Sequence, residues 1–324
     1  MRDLHHKYTC DTQTEDGYSK NFSYRRFVFT SDIYAIILDA KLSNKINAGN
    51  KGIGKALCAQ LLEKYSDTHV ILGSRDEARG QEAVASIIQR VGADSSARIE
   101  FLSVDVTDEG SIRKAADAVS EKYGFASLYA IVNNAAVGFG LDLEGTLKTN
   151  VYGPYHVTNA FLPLLVRTND PHTTGRIVNI SSGVAPTYVA KLDSAGIPST
   201  LFTDPSTTWE QLTRHLENVL QTARENPDAT EKDAYGLSKA CLNAYTVETS
   251  LLHPDLLVNS CSPGFIDTDL TKGFGAKLTP DQGTVSALHC LFSPDAGTGK
   301  YFGSDGVRSP LNKYRAPGDA PYEP

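Results

Sequence analysis

Cysteine is scarce and scattered. The chain carries five, Cys10, Cys58, Cys241, Cys261 and Cys290, with no C-x-x-C pair and no Cys/His cluster. An odd, widely spaced set excludes a disulfide framework and a zinc site, and points to a reducing compartment, most simply the cytoplasm. Long apolar runs are missing: nothing approaches the roughly 18 residues of a membrane span. The opening stretch MRDLHHKYTCDTQTEDGYSKN is too polar for the h-region of a secretory signal. A basic excess is missing as well. Lys+Arg 31 against Asp+Glu 38 leaves a formal net charge of −7, so neither nucleic acid nor an anionic membrane is an expected partner. No internal repeat and no linker divides the chain. What remains is a composition of 40% hydrophobic and 21% charged residues, enough to build one large buried core.

The hydrophobic pattern alternates between two periods. Residues 1–32 show neither and are expected to form a flexible or unreliable extension. IYAIIL (33–38) is the first apolar run. Helical spacing follows in GKALCAQLLEKY (54–65), then a strand pattern in HVILGS (69–74). The same exchange continues through helix 77–91, strand 98–105, helix 109–123, strand 128–135, helix 147–166 and strand 175–182. After Ser182 the pattern pauses in GVAPTYVAKLDSAGIPSTLFTDPSTT, whose Pro, Gly, Ser and Thr read as loop. WEQLTRHLENVLQTAREN (209–226) is an amphipathic helix with Leu212, Leu216, Val219 and Leu220 on one stripe. Helix 234–252, strand 256–262, helix 281–292 and a short strand at 299–303 complete the order. Strands alternating with helices of 10–15 residues predict an α/β Rossmann-type doubly wound parallel sheet flanked by helices. It forms a single domain over 33–306, with a helical insertion at about 186–232 and a C-terminal tail at 307–324. Ligands of such sheets bind beyond the carboxyl ends of the strands.

The chemistry-bearing residues fall at those ends. INAGNKGIGKAL (46–57) places Gly52 and Gly54 where a bound pyrophosphate needs bare backbone and a helix start, although a lone glycine-rich turn is as often ordinary. YGLSK places Tyr235 and Lys239 one helical turn apart on a shared face, so the ammonium is expected to lower the phenol pKa toward neutrality. With Tyr 15 in the chain, one such pair arises by chance. Order and placement carry the weight: the glycine turn, NNAA (133–136), LKTN ending in Asn150, NISS ending in Ser182, YGLSK, then SPGFIDT (262–268).

Together these motifs resemble the short-chain dehydrogenase/reductase family from about Asn47 to about Gly306. The resemblance implies that Ser182 orients and polarises a substrate carbonyl. It makes Tyr235 the general acid, Lys239 the residue on the nicotinamide ribose and Asn150 the anchor of a proton-relay water. It puts Asn50, Lys51, Gly52, Ile53 and Gly54 at the cofactor phosphates, Asn134 near the adenosine ribose, and Asp105 with Val106 at the adenine. Pro263, Gly264, Ile266 and Thr268 border the carboxamide. Arg75 directly after the second strand, with Lys51, supplies positive charge for a 2′-phosphate, so the cofactor expected is NADPH. The chain between Ser182 and Tyr235 is several times longer than most members have. In that feature, and in NKGIG and SRDEARGQEAV, it resembles the monomeric carbonyl reductases. The insertion is either the cover of a face that other members use for assembly, making this chain a monomer, or a substrate lid with no bearing on assembly. A serine hydrolase is disfavoured, because neither Ser181 nor Ser182 lies in a G-x-S-x-G elbow.

Departures cluster near the start. The family pattern Thr-Gly-x-x-x-Gly-x-Gly has Asn47 for the Thr and Ala48 for the first Gly. DAKLSNKI (39–46) is too polar for a buried central strand. Either IYAIIL is that strand, joined by an over-long loop, or a poor strand spans about 42–47, or the first 45 residues come from a faulty gene model. The stretch between Asn134 and Asn150 is short, which trims one wall of the substrate pocket. Two functions follow: NADPH-dependent reduction of a ketone, aldehyde or quinone, or an impaired nucleotide-binding protein with a degraded cofactor loop.

Overall fold

Eight strands form one sheet in the order β3-β2-β1-β4-β5-β6-β7-β8. The computed structural model describes residues 52–138, 142–226 and 233–323, and the backbone of 33–38. The strands are β1 (Ile33–Leu38), β2 (Thr68–Ser74), β3 (Ile99–Ser103), β4 (Leu128–Asn133), β5 (Arg176–Ile180), β6 (Leu257–Cys261), β7 (Lys300–Phe302) and β8 (Arg308–Ser309). β1 to β7 are parallel, and β8 adds antiparallel to β7. β1 pairs β2 on one side and β4 on the other, with Leu38 opposite both Gly73 and Asn133. The chain therefore winds outward from β1 to β3, returns to β4 and winds outward again. That reversal opens a crevice beyond the carboxyl ends of β1 and β4. Of the sequence readings of the first strand, IYAIIL is the one in the sheet; 42–47 lies outside the described residues.

The helices are α1 (Ile53–Lys64), α2 (Glu77–Val91), α3 (Glu109–Tyr123), α4 (Leu143–Leu147), α5 (Gly153–Phe161), α6 (Val184–Ser194), α7 (Trp209–Glu225), α8 (Ala234–Leu252) and α9 (Val285–Phe292). Side chains alternate between the two faces of the sheet. Val178 and Ile180 of β5 join the layer with α1, α2 and α9, and Ile177 joins the layer with α3 and α5. A third cluster packs α6 and α7 on α8, centred on Leu212, Leu216, Leu237 and Tyr245. Burying Leu212 and Leu216 completely contributes about 1.5–3 kcal/mol each. Asp76, Asp108 and Asp233 cap their helices by accepting backbone N–H bonds, Asp233 from Gly236 at 2.9 Å.

Three stretches differ from the sequence reading. The stretch after Ser182, read as loop, contains α6. Its Pro186 sits in the first turn, where the missing N–H has no helical partner in any case. Tyr188 and Val189 then pack under α8. The helix read over 147–166 starts earlier and is broken. α4 passes into a π-turn over Lys148–Tyr152 before α5 begins. Pro154 has no N–H to give the Asn150 carbonyl four residues back, so the regular ladder cannot run through. Residues 307–323, read as a tail, supply β8 and a segment that folds back over the end of the sheet.

Candidate active site

Four elements converge at the carboxyl ends of β4 and β5. Ser182 follows β5 and is half-buried; its Oγ accepts the Val184 N–H at 3.2 Å. Tyr235 stands in the first turn of α8, with Ser182 near enough to its phenol to pull the phenol pKa down. Lys239 lies one turn further along α8, only 1% exposed, with its Nζ 5.8 Å from the Tyr235 ring centroid. That Nζ donates to the Ile180 carbonyl at 2.8 Å. Asn150, fully buried in the π-turn, closes the group. Its Nδ2 donates to the Val137 carbonyl at 2.8 Å and to Ser238 Oγ at 3.0 Å, and its Oδ1 accepts the Val137 N–H at 2.9 Å. Ser238 Oγ in turn donates to the Tyr235 carbonyl at 2.8 Å. Asn150 is thus tied both to the loop after β4 and to the Tyr235 turn.

The charge states differ from the sequence reading. Lys239 does not bring the Tyr235 phenol toward neutrality. Burial pushes that phenol up to about 12, with the nearby Ser182 working the other way. Burial also drives Lys239 down to about 7, with the nearby Cys261 sulfur working weakly the other way. The spacing Tyr-x-x-x-Lys places the two side chains on one face, but the ammonium spends its hydrogen bond on Ile180 and both groups are desolvated.

The residues read as cofactor contacts line the same edge of the sheet. Gly52 is the extended N-cap of α1 at φ −163°, which puts the start of that helix at the carboxyl edge of the sheet. Ile53 of α1 and Ile266 after β6 meet at Gly283, where an added Cβ would lie 2.8 Å from Ile266 and 3.4 Å from Ile53. Gly54 is buried inside α1. Arg75 is exposed at the carboxyl end of β2. Asp105 follows β3, its Oδ1 accepting from the Thr107 N–H and Oγ1 at 2.8 and 2.7 Å, and Val106 packs on Gly153 at the start of α5. Asn134 directly follows β4, with its N–H bonded to the Val132 carbonyl. Pro263 and Gly264 turn the chain after β6; Gly264 holds φ +91°, which favours glycine. Thr268 begins a short 3₁₀ turn, and Thr271 Oγ1 bonds back to the Ile266 carbonyl. Asn50 and Lys51 lie outside the described residues.

A cavity of about 420 Å³ opens beside Ser182. Its walls come from the start of α6, the loop after β6, β7 and the segment after β8. Sequence reading passed over Ser262 and Tyr301 in these walls. Ser262 Oγ accepts the N–H groups of Gly183 and Gly264 at 3.1 and 3.2 Å, and it sits near enough to the Tyr301 hydroxyl to oppose the rise that burial imposes on that phenol. Ser262 opens the SPGFIDT motif, which was its only signal; Tyr301 had none beyond a short strand.

Known proteins resemble this chain in sequence and fold. A profile of the short chain dehydrogenase family matches residues 46–193. Short-chain dehydrogenase/reductase 1 of Saponaria officinalis is 30% identical over 282 residues, covering 77% of this chain and 89% of that one. The chain belongs to the short-chain dehydrogenase/reductase family. A second relative, named carbonyl reductase (NADPH) 1, from Rattus norvegicus, is 28% identical over 79% of this chain and 92% of its own. The solved structure of salutaridine reductase from Papaver somniferum superposes with a TM-score of 0.67 at 26% identity, covering 83% of this chain and 99% of that one. As a short-chain dehydrogenase/reductase the chain is an oxidoreductase whose relatives include carbonyl reductases.

A dinucleotide fits the residues present. The N-terminus of a twelve-residue helix, opened by Gly52 with no side chain of its own, offers backbone N–H groups to a pyrophosphate. The apolar junction of Ile53 and Ile266 closes the crevice between that helix and the turn after β6.

Proposed function

We propose that this protein reduces a carbonyl compound to an alcohol with NADPH. The observation that carries the reading is the gathering of Ser182, Tyr235 and the buried Lys239 beside a cavity at the carboxyl edge of the sheet, with Lys239 Nζ 5.8 Å from the Tyr235 ring centroid. When bound, the reduced nicotinamide supplies a hydride to the carbonyl carbon. Ser182 donates a hydrogen bond to the carbonyl oxygen and holds it beside the phenol. Tyr235 delivers its proton to that oxygen as charge develops there. A phenol raised to about 12 stays protonated through neutral pH, the state a proton donor requires, and an alkoxide is a far stronger base. Lys239, poised near 7, carries a proton that can replace the one Tyr235 gives up. Asn150 fixes the Tyr235 turn through Ser238.

The preference for NADPH over NADH rests on charge. Arg75 is exposed directly after β2, which supports a contact with a ribose phosphate, and charged hydrogen bonds to phosphate contribute about 1.5–3 kcal/mol each. The NADPH in the name of the rat relative supports the same choice. The monomer reading is supported by α7, whose Trp209 stacks on Tyr155 of α5 at 4.0 Å and meets Tyr245 of α8 edge-on at 5.3 Å, covering the outer faces of both helices. Among the described residues no helix is long and apolar enough to cross a membrane.

The test is a fluorescence titration with NADPH and NADH, followed by turnover of a carbonyl panel by wild type and Tyr235→Phe. The expected result is NADPH binding by both proteins and loss of turnover by at least a hundredfold in the variant. Absence of NADPH binding would remove the enzyme reading, and undiminished turnover would remove Tyr235 as the acid.

A further inference from the structure

The segment after β8 does not hang from the domain. Arg315, 9% exposed, buckles it down. Its Nε donates to Ser309 Oγ at 2.9 Å, one terminal nitrogen donates to the Ala316 and Asp319 carbonyls at 3.0 and 2.7 Å, and the other pairs with the Asp305 carboxylate. Asp305 also accepts the Gly318 N–H at 3.0 Å, so one carboxylate grips both ends of the turn that Arg315 occupies. Charge-assisted, multiply bonded arginine is the strongest fastening a short irregular segment can have.

The fastening sets the place of the residue just before it. The ring of Tyr314 lies against the backbone of Gly183, the residue after Ser182. A Cβ built on Gly183 would come 2.8 Å from Tyr314 Cε2 and 3.2 Å from Cδ2. Gly183 has φ −62°, which any residue adopts, so what a side chain would collide with at this position is the Tyr314 ring. Tyr314 and Arg315 both line the cavity beside Ser182. The two cations that border the space are matched, Arg315 by Asp305 and Lys191 by Asp233 at 3.5 Å. The remaining lining combines hydroxyls with apolar surface from Val184, Pro186 and Phe265. A ligand there meets no unmatched charge.

Resting on the carbonyl-reductase reading, we propose that Tyr314 is a specificity-determining residue for neutral, bulky ketones, and that Arg315 is the positioning residue that holds it as a wall of the substrate cavity. A small ketone held at Ser182 leaves this wall largely untouched. A fused-ring ketone extends along it and gains apolar contact with the ring face.

The experiment compares cyclohexanone with 2-decalone in wild type, Tyr314→Ala, Gly183→Ala and the double variant. Steady-state turnover with NADPH is measured beside calorimetric titration of 2-decalone, and thermal melts check that each variant is folded. Tyr314 is 53% exposed, so its truncation leaves the core intact. The expected result is a drop of about tenfold in kcat/KM for 2-decalone in Tyr314→Ala, carried by KM, with cyclohexanone changed less than about threefold. Gly183→Ala displaces the ring and produces the same bias, and the double variant adds no further bias, because both act through one contact. Arg315→Lys, which keeps the charge but loses the fork, moves the ratio in the same direction. An unchanged ratio and unchanged 2-decalone affinity in folded Tyr314→Ala would overturn the proposal while leaving the reductase reading intact. Weakened 2-decalone binding in the variants, with no ketone reduced by wild type, would keep the wall and overturn the reductase reading. No binding and no turnover of 2-decalone by wild type would overturn the assignment of this cavity to neutral ketones.

Discussion

Lys239→Met should make the protein more stable below neutral pH while abolishing its chemistry. Lys239 is 1% exposed, and burial lowers its pKa from 10.5 to about 7. Between those two values the unfolded chain binds a proton that the folded chain does not, so stability rises with pH across that window. Below about 7 both states are charged and the folded state carries the full desolvation penalty. The drop from 10.5 to about 7, at about 1.4 kcal/mol per unit, sets that penalty at about 5 kcal/mol. Methionine keeps the volume and removes the charge, at the loss of the bond to the Ile180 carbonyl, about 1 kcal/mol. The assay is urea unfolding of wild type and Lys239→Met from pH 6 to 9.5, which stops short of the tyrosine range. The titrations common to both proteins cancel in the difference. The wild type should gain on the variant by about 3 kcal/mol over this interval. A difference that stays flat with pH would show that Lys239 is not desolvated as the packing of α8 on β5 requires.

The other expectations are simpler. Arg75→Ala should weaken NADPH by at least tenfold while changing NADH little, as read by calorimetric titration of both; equal losses would show that Arg75 does not read the 2′-phosphate. Trp209→Ala removes the stack on Tyr155 and should cost about 2 kcal/mol in urea unfolding. Light scattering should return a mass of 35.0 kDa for the wild type, and twice that mass would show that α7 does not close the assembly face.

The strand ends and the four polar residues around them were legible because their signals are local. Ser182 closely follows an apolar strand, and Tyr235 and Lys239 stand one helical turn apart behind a capping Asp233. Each statement needs only a few neighbouring residues. α6 was missed because Pro186 reads as a breaker by composition, whereas its effect depends on position: in the first turn it removes a donor that no carbonyl was waiting for. The π-turn around Asn150 follows from Pro154, a residue visible in the sequence, but only once a helix is known to run into it. The Arg315–Asp305 buckle has no periodicity at all; it joins two irregular stretches through side chains, and hydropathy is blind to that.

The error in sign at Tyr235 is of a different kind. Spacing gives proximity, and proximity to a cation alone lowers a phenol pKa. The effect that wins is set by how much water remains, and that depends on β5, β6 and α8 closing around the pair from distant parts of the chain. Once closed, the same burial raises Tyr235 and lowers Lys239, moving both groups toward their neutral forms. A neutral phenol beside Ser182, near an amine close to giving up its proton, suits delivery of a proton to an alkoxide. The site is therefore better described as a desolvated pair than as an ion pair, and the pH dependence of Lys239→Met separates these two descriptions.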